Sequence, residues 1–293
     1  MTNLTRRILW HVNRTPLAHL VKMAVSAAHA PSVAERRRLA RNLGVSAVAQ
    51  EKAERLRRDG YVMLTDIVDE SLLAAFDSAS SEKLAHVDAI AEHQESAHKQ
   101  FWLRLLDSEV VSGAFDADNI FVRFATQPKF IELLCAYMRR TPQLMDVLLT
   151  YSRPSDAKLS YSQLWHRDHD DVQTVKIFVY LTDVPGVEQG PFTFLPGPAS
   201  DRVGFQLKSH MDDEYFHSRA SRTEVVELSA PRLTVFACET SRCYHMGSRV
   251  QPGAFRLLYT ATFIKPPSLF PRKLPRFRAN RPLGDVERSV LGL

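Results

Sequence analysis

The hydrophobic pattern changes character near residue 144. Before that point apolar positions recur at helical spacing. Phe130, Leu133, Leu134 and Tyr137 mark one face of a helix over about Pro128 to Arg139, and Leu72, Leu73 and Phe76 mark another. Start and stop signals accompany these faces. Ser32-Val33-Ala34-Glu35 has the spacing of a capping box. A further helix is predicted from about Ser46 to Arg58, closed by Gly60, and Asp69 or Ser71 is placed to cap the helix carrying Phe76. Tyr61 to Leu64 reads as a short strand, and residues 82–106, rich in His, Gln and Glu, as a helix followed by irregular structure. After residue 144 the runs become short and β-rich: Val147 to Tyr151, Thr174 to Leu181, Phe192 to Leu195, Glu224 to Leu228, Leu233 to Cys238 and Phe255 to Ile264. Pro, Gly, Asp and Ser clusters separate them, a spacing that indicates a β-sandwich or barrel. The expected architecture is α+β, with helices in the first half packed around a double-sheet core.

Composition narrows the function classes. At 293 residues, 45% hydrophobic and 24% charged, the chain can bury a large core, and disordered or collagen-like readings drop out. The net charge of +5 is concentrated in Arg36, Arg37, Arg38 and Arg41 and in the stretch from Arg272 to Arg281. No aromatic-interleaved basic motif accompanies it, so a solvated surface is expected rather than nucleic-acid binding. Three cysteines (Cys135, Cys238, Cys243) without a C-x-x-C pair argue against a disulfide framework or structural zinc site and for a reducing compartment. The apolar stretch from Ile8 to Ala30 is interrupted by His11, Asn13, Arg14, Pro16, His19 and Lys22, so neither a membrane span nor a signal peptide is expected. A cytoplasmic location follows as the expectation, with the oligomeric state monomer or homodimer.

The informative chemistry lies in Trp165-His166-Arg167-Asp168-His169-Asp170-Asp171. On an extended backbone, residues i and i+2 point to one side, so His166 and Asp168 can share one metal ion. His245 in Cys243-Tyr244-His245, after the apolar strand ending at Cys238, is a candidate third ligand. Two His and one carboxylate on one face of an ion leave the opposite positions open, as in non-haem Fe(II) oxygenases. A second H-x-D, His169/Asp171, overlaps the first, and a hydrolytic zinc site is the competing metal reading, although the second His of H-x-H-x-D-H is missing here. Arg256, eleven residues past His245 on the next strand, could hold a carboxylate by a bidentate fork. Lys176 shares a strand face with Phe178 and Tyr180. Pocket-facing and outward-facing orientations of that face both stay open. For Trp102, Phe101, Arg104 and Cys243, core packing is the plainer reading. His169, Asp170 and Asp171 read as loop residues at the pocket rim.

In this order and spacing the motifs resemble the phytanoyl-CoA dioxygenase family of Fe(II)/2-oxoglutarate-dependent oxygenases. The matching pieces are Arg58 to Asp66, Trp165 to Asp168, Gln189 to Gly197, and His245 followed by Arg256, over roughly residues 55–270. The resemblance implies a double-stranded β-helix (jelly-roll) core with helices outside it; beyond its span lie a helical N-terminal extension (1–54) and a basic C-terminal tail (271–293). It implies that His166, Asp168 and His245 bind Fe(II), that Arg256 pairs with the distal carboxylate of 2-oxoglutarate, and that Gln163 and Phe178 line the cosubstrate site. The implied activity is O2-dependent oxidation of a C–H bond in a small-molecule substrate, with release of succinate and CO2. The retained Asp168 favours hydroxylation over halogenation. Where relatives often carry Pro-Gly-Ser-His at the substrate entrance, this chain has Pro196-Gly197-Pro198-Ala199. A catalytically silent jelly-roll protein that binds a metal or small molecule is the alternative.

Overall fold

The computed structural model describes residues 11–93, 101–269 and 276–293. Its strands, in chain order, are β1 (Tyr61–Met63), β2 (Trp102–Arg104), β3 (Ala114–Asp116), β4 (Gln143–Ser152), β5 (Trp165–His166), β6 (Thr174–Tyr180), β7 (Phe192–Phe194), β8 (His210–Met211), β9 (Val226–Leu228), β10 (Val235–Cys238), β11 (His245–Met246), β12 (Arg256–Ile264) and β13 (Arg276–Arg278). Two antiparallel sheets form the jelly roll: a six-stranded sheet ordered β1-β10-β6-β12-β4-β2 and a five-stranded sheet ordered β8-β5-β11-β7-β9. A small parallel pair, β3 with β13, lies apart from both.

Strand periodicity sorts the side chains of the large sheet into two layers. On β6, Val175, Ile177 and Val179 join the largest apolar cluster, together with Leu257, Tyr259, Ala261 and Phe263 of β12 and side chains of the helices covering that face. The alternate residues Phe178 and Tyr180 meet Phe192 and Phe194 of β7 and Phe236 of β10 in a second cluster between the sheets. Lys176 lies in register with these inward residues. That settles the orientation left open by the sequence: this face of β6 looks into the roll.

Helix boundaries follow local chemistry. Helix Ala47–Asp59 starts at Ser46, whose hydroxyl accepts the Ala49 N–H, and the Glu132 carboxylate accepts both the Ser46 N–H and its hydroxyl at 3.1 and 2.6 Å. It ends at Gly60 (φ 81°), where a Cβ would sit 2.4 Å from the Cys243 sulfur. Only glycine fits there on both counts. Asp69 caps helix Glu70–Ala85 through the Leu72 N–H.

Three expectations need correction. Ser32 does not cap a helix: helix Ala30–Asn42 begins two residues earlier with Pro31 in its first turn, and Glu35 pairs with Arg38 instead. The stretch 82–106 contains helix Val87–His93 and then strand β2, with 94–100 outside the described residues. The stretch Gln189–Gly197, which reads as a turn, a short strand and a second turn, has helix Gly197–Val203 in place of that second turn.

Candidate metal and carboxylate site

β5 and β11 are neighbours in the five-stranded sheet, and their register sets His166 directly opposite His245. The imidazole centroids are 4.2 Å apart. Asp168, just beyond β5, is held by its N–H to the Thr240 carbonyl, so its carboxylate turns back toward both rings. Oδ1 lies 3.8 Å from His166 Nε2 and Oδ2 lies 3.7 Å from His245 Nε2. Ligand atoms of these three residues all fall within 4.8 Å of one another, and among the described residues no other group of three His, Cys, Asp or Glu side chains does so. The competing pair His169/Asp171 is not brought together with a third ligand, because Asp171 turns to Lys22, 2.5 Å away.

The donor chemistry suits a cation. His166 Nδ1 is 2.8 Å from the Leu164 carbonyl and His245 Nδ1 is 3.0 Å from the Cys243 carbonyl. A carbonyl only accepts, so Nδ1 carries the proton in each ring and the Nε2 lone pairs face the carboxylate. Burial lowers the pKa of both histidines, which favours the neutral, ligating form. Burial alone would raise the pKa of Asp168; the Lys176 ammonium outweighs it and holds the carboxyl well below its usual range. Lys176 Nζ lies 2.7 Å from Asp168 Oδ2.

Arg256 opens β12 at the far end of the same inner face. It is 1% exposed. One Nη donates to the Gly190 carbonyl and the other to Ser248 Oγ at 2.7 Å, and the guanidinium lies against Gly247, two residues past His245. Its Nε has no hydrogen-bond partner, and no ion pair to Arg256 occurs among the described residues. A buried guanidinium without an anion carries a large desolvation cost. The site therefore fits both halves of the implied cofactor set: a divalent cation at the triad, and a carboxylate at Arg256.

Neighbouring residues divide by role. Phe178 is buried between the sheets, its ring 4.7 Å from that of Phe192, which in turn lies 5.4 Å from the ring of His245. Gln163 is buried and its amide is occupied: Oε1 accepts the Ser160 N–H, and Nε2 donates to the Ser248 carbonyl at 3.2 Å, which ties it to the residue that holds Arg256. Trp165 anchors β5 by stacking on Phe216 at 4.0 Å and donating to Asp213, itself bridged to Arg249. Cys243 is a buried thiol against the Gly60 carbonyl. Phe101 is buried, while Trp102 is half-buried and pairs with Ser152 at the sheet edge. His210, which the sequence pattern did not single out, pairs across from His166 and stacks on it at 5.3 Å. Its strand has two residues, too few to show a period. Asp171, expected at the pocket rim, lines a pocket beside Asp168 but is only 1% exposed.

The fold and the triad together define a jelly roll built around a two-histidine, one-carboxylate cluster. No protein-family model matches the sequence, and no curated protein matches it. Solved structures do match. EctD from S. alaskensis, with 2-oxoglutarate and 5-hydroxyectoine, aligns at TM-score 0.54 and 16% identity over 80% of this chain and 88% of its own. The non-haem alpha-ketoglutarate-dependent carbocyclase SnoK from nogalamycin biosynthesis aligns at 0.51 and 18% identity over 75% and 86%. The non-haem monooxygenase ThoJ aligns at 0.51 and 15% identity over 82% and 92%. This chain shares their fold. No described helix is long and apolar enough to cross a membrane.

Proposed function

We propose that the chain is a non-haem Fe(II)/2-oxoglutarate-dependent oxygenase of a small molecule, within the phytanoyl-CoA dioxygenase-like group that its motifs resemble. The observation that carries this reading is the buried Arg256, without an anion among the described residues, in the same roll as three converging ligands. Each of its features is a cost to the isolated fold, and a dicarboxylate bridging a cation and the guanidinium would offset both. Iron, 2-oxoglutarate and O2 together supply an oxidant for a C–H bond, with succinate and CO2 released.

The chain's own residues supply binding and placement. His166, Asp168 and His245 would hold the iron through Nε2, carboxylate oxygen and Nε2. Arg256 would fork onto the distal carboxylate of 2-oxoglutarate, with Ser248 and the Gly190 carbonyl fixing the plane of the fork. Gln163 supports that end by holding Ser248. Phe178 and Phe192 wall the space between the sheets with apolar surface, which excludes water from the reacting centre. Lys176 restrains one oxygen of Asp168, so the carboxylate keeps one orientation.

The test is succinate formation from 2-oxoglutarate with Fe(II) under air. Wild type is expected to turn over, if slowly without its substrate, and His166→Ala, Asp168→Ala and His245→Ala to fall to background. Full turnover in any of the three overturns the ligand assignment. Metal binding with no succinate across a broad substrate screen favours the silent binding protein.

A further inference from the structure

We infer that the N-terminal segment completes a compact pocket beside Asp168 that takes a small anionic ligand, one carrying a carboxylate or a phosphate. The pocket has a volume of about 270 Å³ and is lined by Asn13, Arg14, Arg167, Asp168, Lys208 and Tyr244, among others. One wall belongs to residues 13–19, and Asp168 contributes to the lining while His166, His245 and Arg256 do not, so a molecule bound there sits next to the metal site rather than in it. The volume is at the small end of ligand pockets and suits a compact metabolite rather than a long acyl chain.

The N-terminal wall is fixed in place by its own buried network. Lys22 of helix Ala18–Ala28 donates to Asp171 Oδ1 at 2.5 Å and to the carbonyls of Lys265 and Pro267 at 2.7 and 2.6 Å, using all three ammonium protons. Asp171 also accepts the N–H groups of Val172 and Leu269. Asn13 donates to the His169 carbonyl at 2.6 Å, while its own side-chain oxygen has no partner. The extension is thus cross-linked to the loop that follows the metal ligand, three residues from Asp168.

Charge pairing within the lining gives the ligand class. Each of the three lining carboxylates has a cation of its own: Asp168 with Lys176, Asp171 with Lys22, and Asp201 with Arg242 at 2.7 Å. The lining cations Arg167 and Lys208 have no carboxylate within ion-pair distance among the described residues. Arg167 donates to the Ser200 carbonyl and lies over the Tyr244 ring at 4.1 Å, with its Nε buried and unpartnered. Lys208 rests over the Tyr215 ring at 4.2 Å. Two cations at the mouth of a pocket whose acids are already neutralised leave a net positive field facing the ligand, which selects an anion and steers its approach.

The experiment is isothermal titration of the full chain, metal-free and loaded with metal and 2-oxoglutarate. The probes are matched compact pairs: monocarboxylates with their amides, and monophosphates with their parent alcohols. The anionic member of a pair is expected to bind and the neutral one not. Lys208→Ala, on an exposed side chain that the fold does not need, and Arg167→Met should each weaken that binding at least about tenfold. Lys22→Met should weaken it as well, by releasing the N-terminal wall. Preference for phosphate or for carboxylate names the source of the charge. Equal binding of the neutral partners, no binding of any anion, or unchanged affinity in Lys208→Ala overturns the proposal. A separate titration with 2-oxoglutarate should be unaffected by Lys208→Ala. If the wild type fails to bind 2-oxoglutarate, the oxygenase reading falls, while the anion preference is still decided on the metal-free chain.

Discussion

Asp168 and Asp171 stand three residues apart on one loop, both are shielded from solvent, and both are paired with a lysine, yet they do opposite work. Asp171 is saturated: Lys22 and the Val172 N–H on one oxygen, the Leu269 N–H on the other. Asp168 has Lys176 on one oxygen, and otherwise faces two imidazole nitrogens that can only accept. The first carboxylate is a completed structural joint. The second is an acceptor set among acceptors, an arrangement that a cation resolves. Hydrogen-bond saturation, rather than burial or charge pairing, separates the structural acid from the candidate ligand.

The same substitution at the two positions should therefore differ in its effect on metal binding. Asp168→Asn should weaken Fe(II) binding by at least about a hundredfold; it also leaves the Lys176 ammonium without its anion, so both variants lose stability and metal affinity is what separates them. Asp171→Asn should cost about 3 kcal/mol of stability while Fe(II) affinity stays within about threefold. Anaerobic metal titration on both variants breaks the comparison if the two losses of affinity come out alike.

The two lysines sharpen it further. Lys22→Met leaves the Asp171 charge buried without its partner and should destabilise the fold by about 3 kcal/mol, read by urea unfolding. Lys176→Met acts on a site that a cation must enter against the ammonium's field, so a divalent ion should bind about tenfold more tightly. Weaker metal binding in that variant would mean that Lys176 matters more for orienting Asp168 than for opposing the ion. The smallest effect is a control far from the site. Ser46→Ala removes a helix cap and should cost about 1 kcal/mol without altering metal affinity.

How much of this was legible in the sequence depended on the range of the interaction. The alternation along Thr174–Tyr180 and the i, i+2 spacing of His166 and Asp168 are local, and both appear in the structure as expected. The orientation of Lys176 could not be read locally, since an alternating strand shows two faces without saying which meets the second sheet. The Lys22–Asp171 joint spans 149 residues and carries no local signal, which is why Asp171 read as a rim residue. Strands β5, β8 and β11 have two residues each, so they leave no periodicity; their pairing is a product of the roll. At Ser32 a capping-box spacing was overridden by Pro31, which is better suited to a helix's first turn than to its flank.

The central claim is that the triad and Arg256 are two ends of one binding site. Its most direct test is anaerobic titration of the Fe(II)-loaded chain with 2-oxoglutarate, followed by the visible charge-transfer absorption that a chelating 2-oxoacid gives on ferrous iron. The account predicts a saturable band in the wild type and a large rise in the half-saturating concentration in Arg256→Met, with iron content unchanged. A band of equal affinity in Arg256→Met, or no band from a chain shown to hold iron, would contradict it.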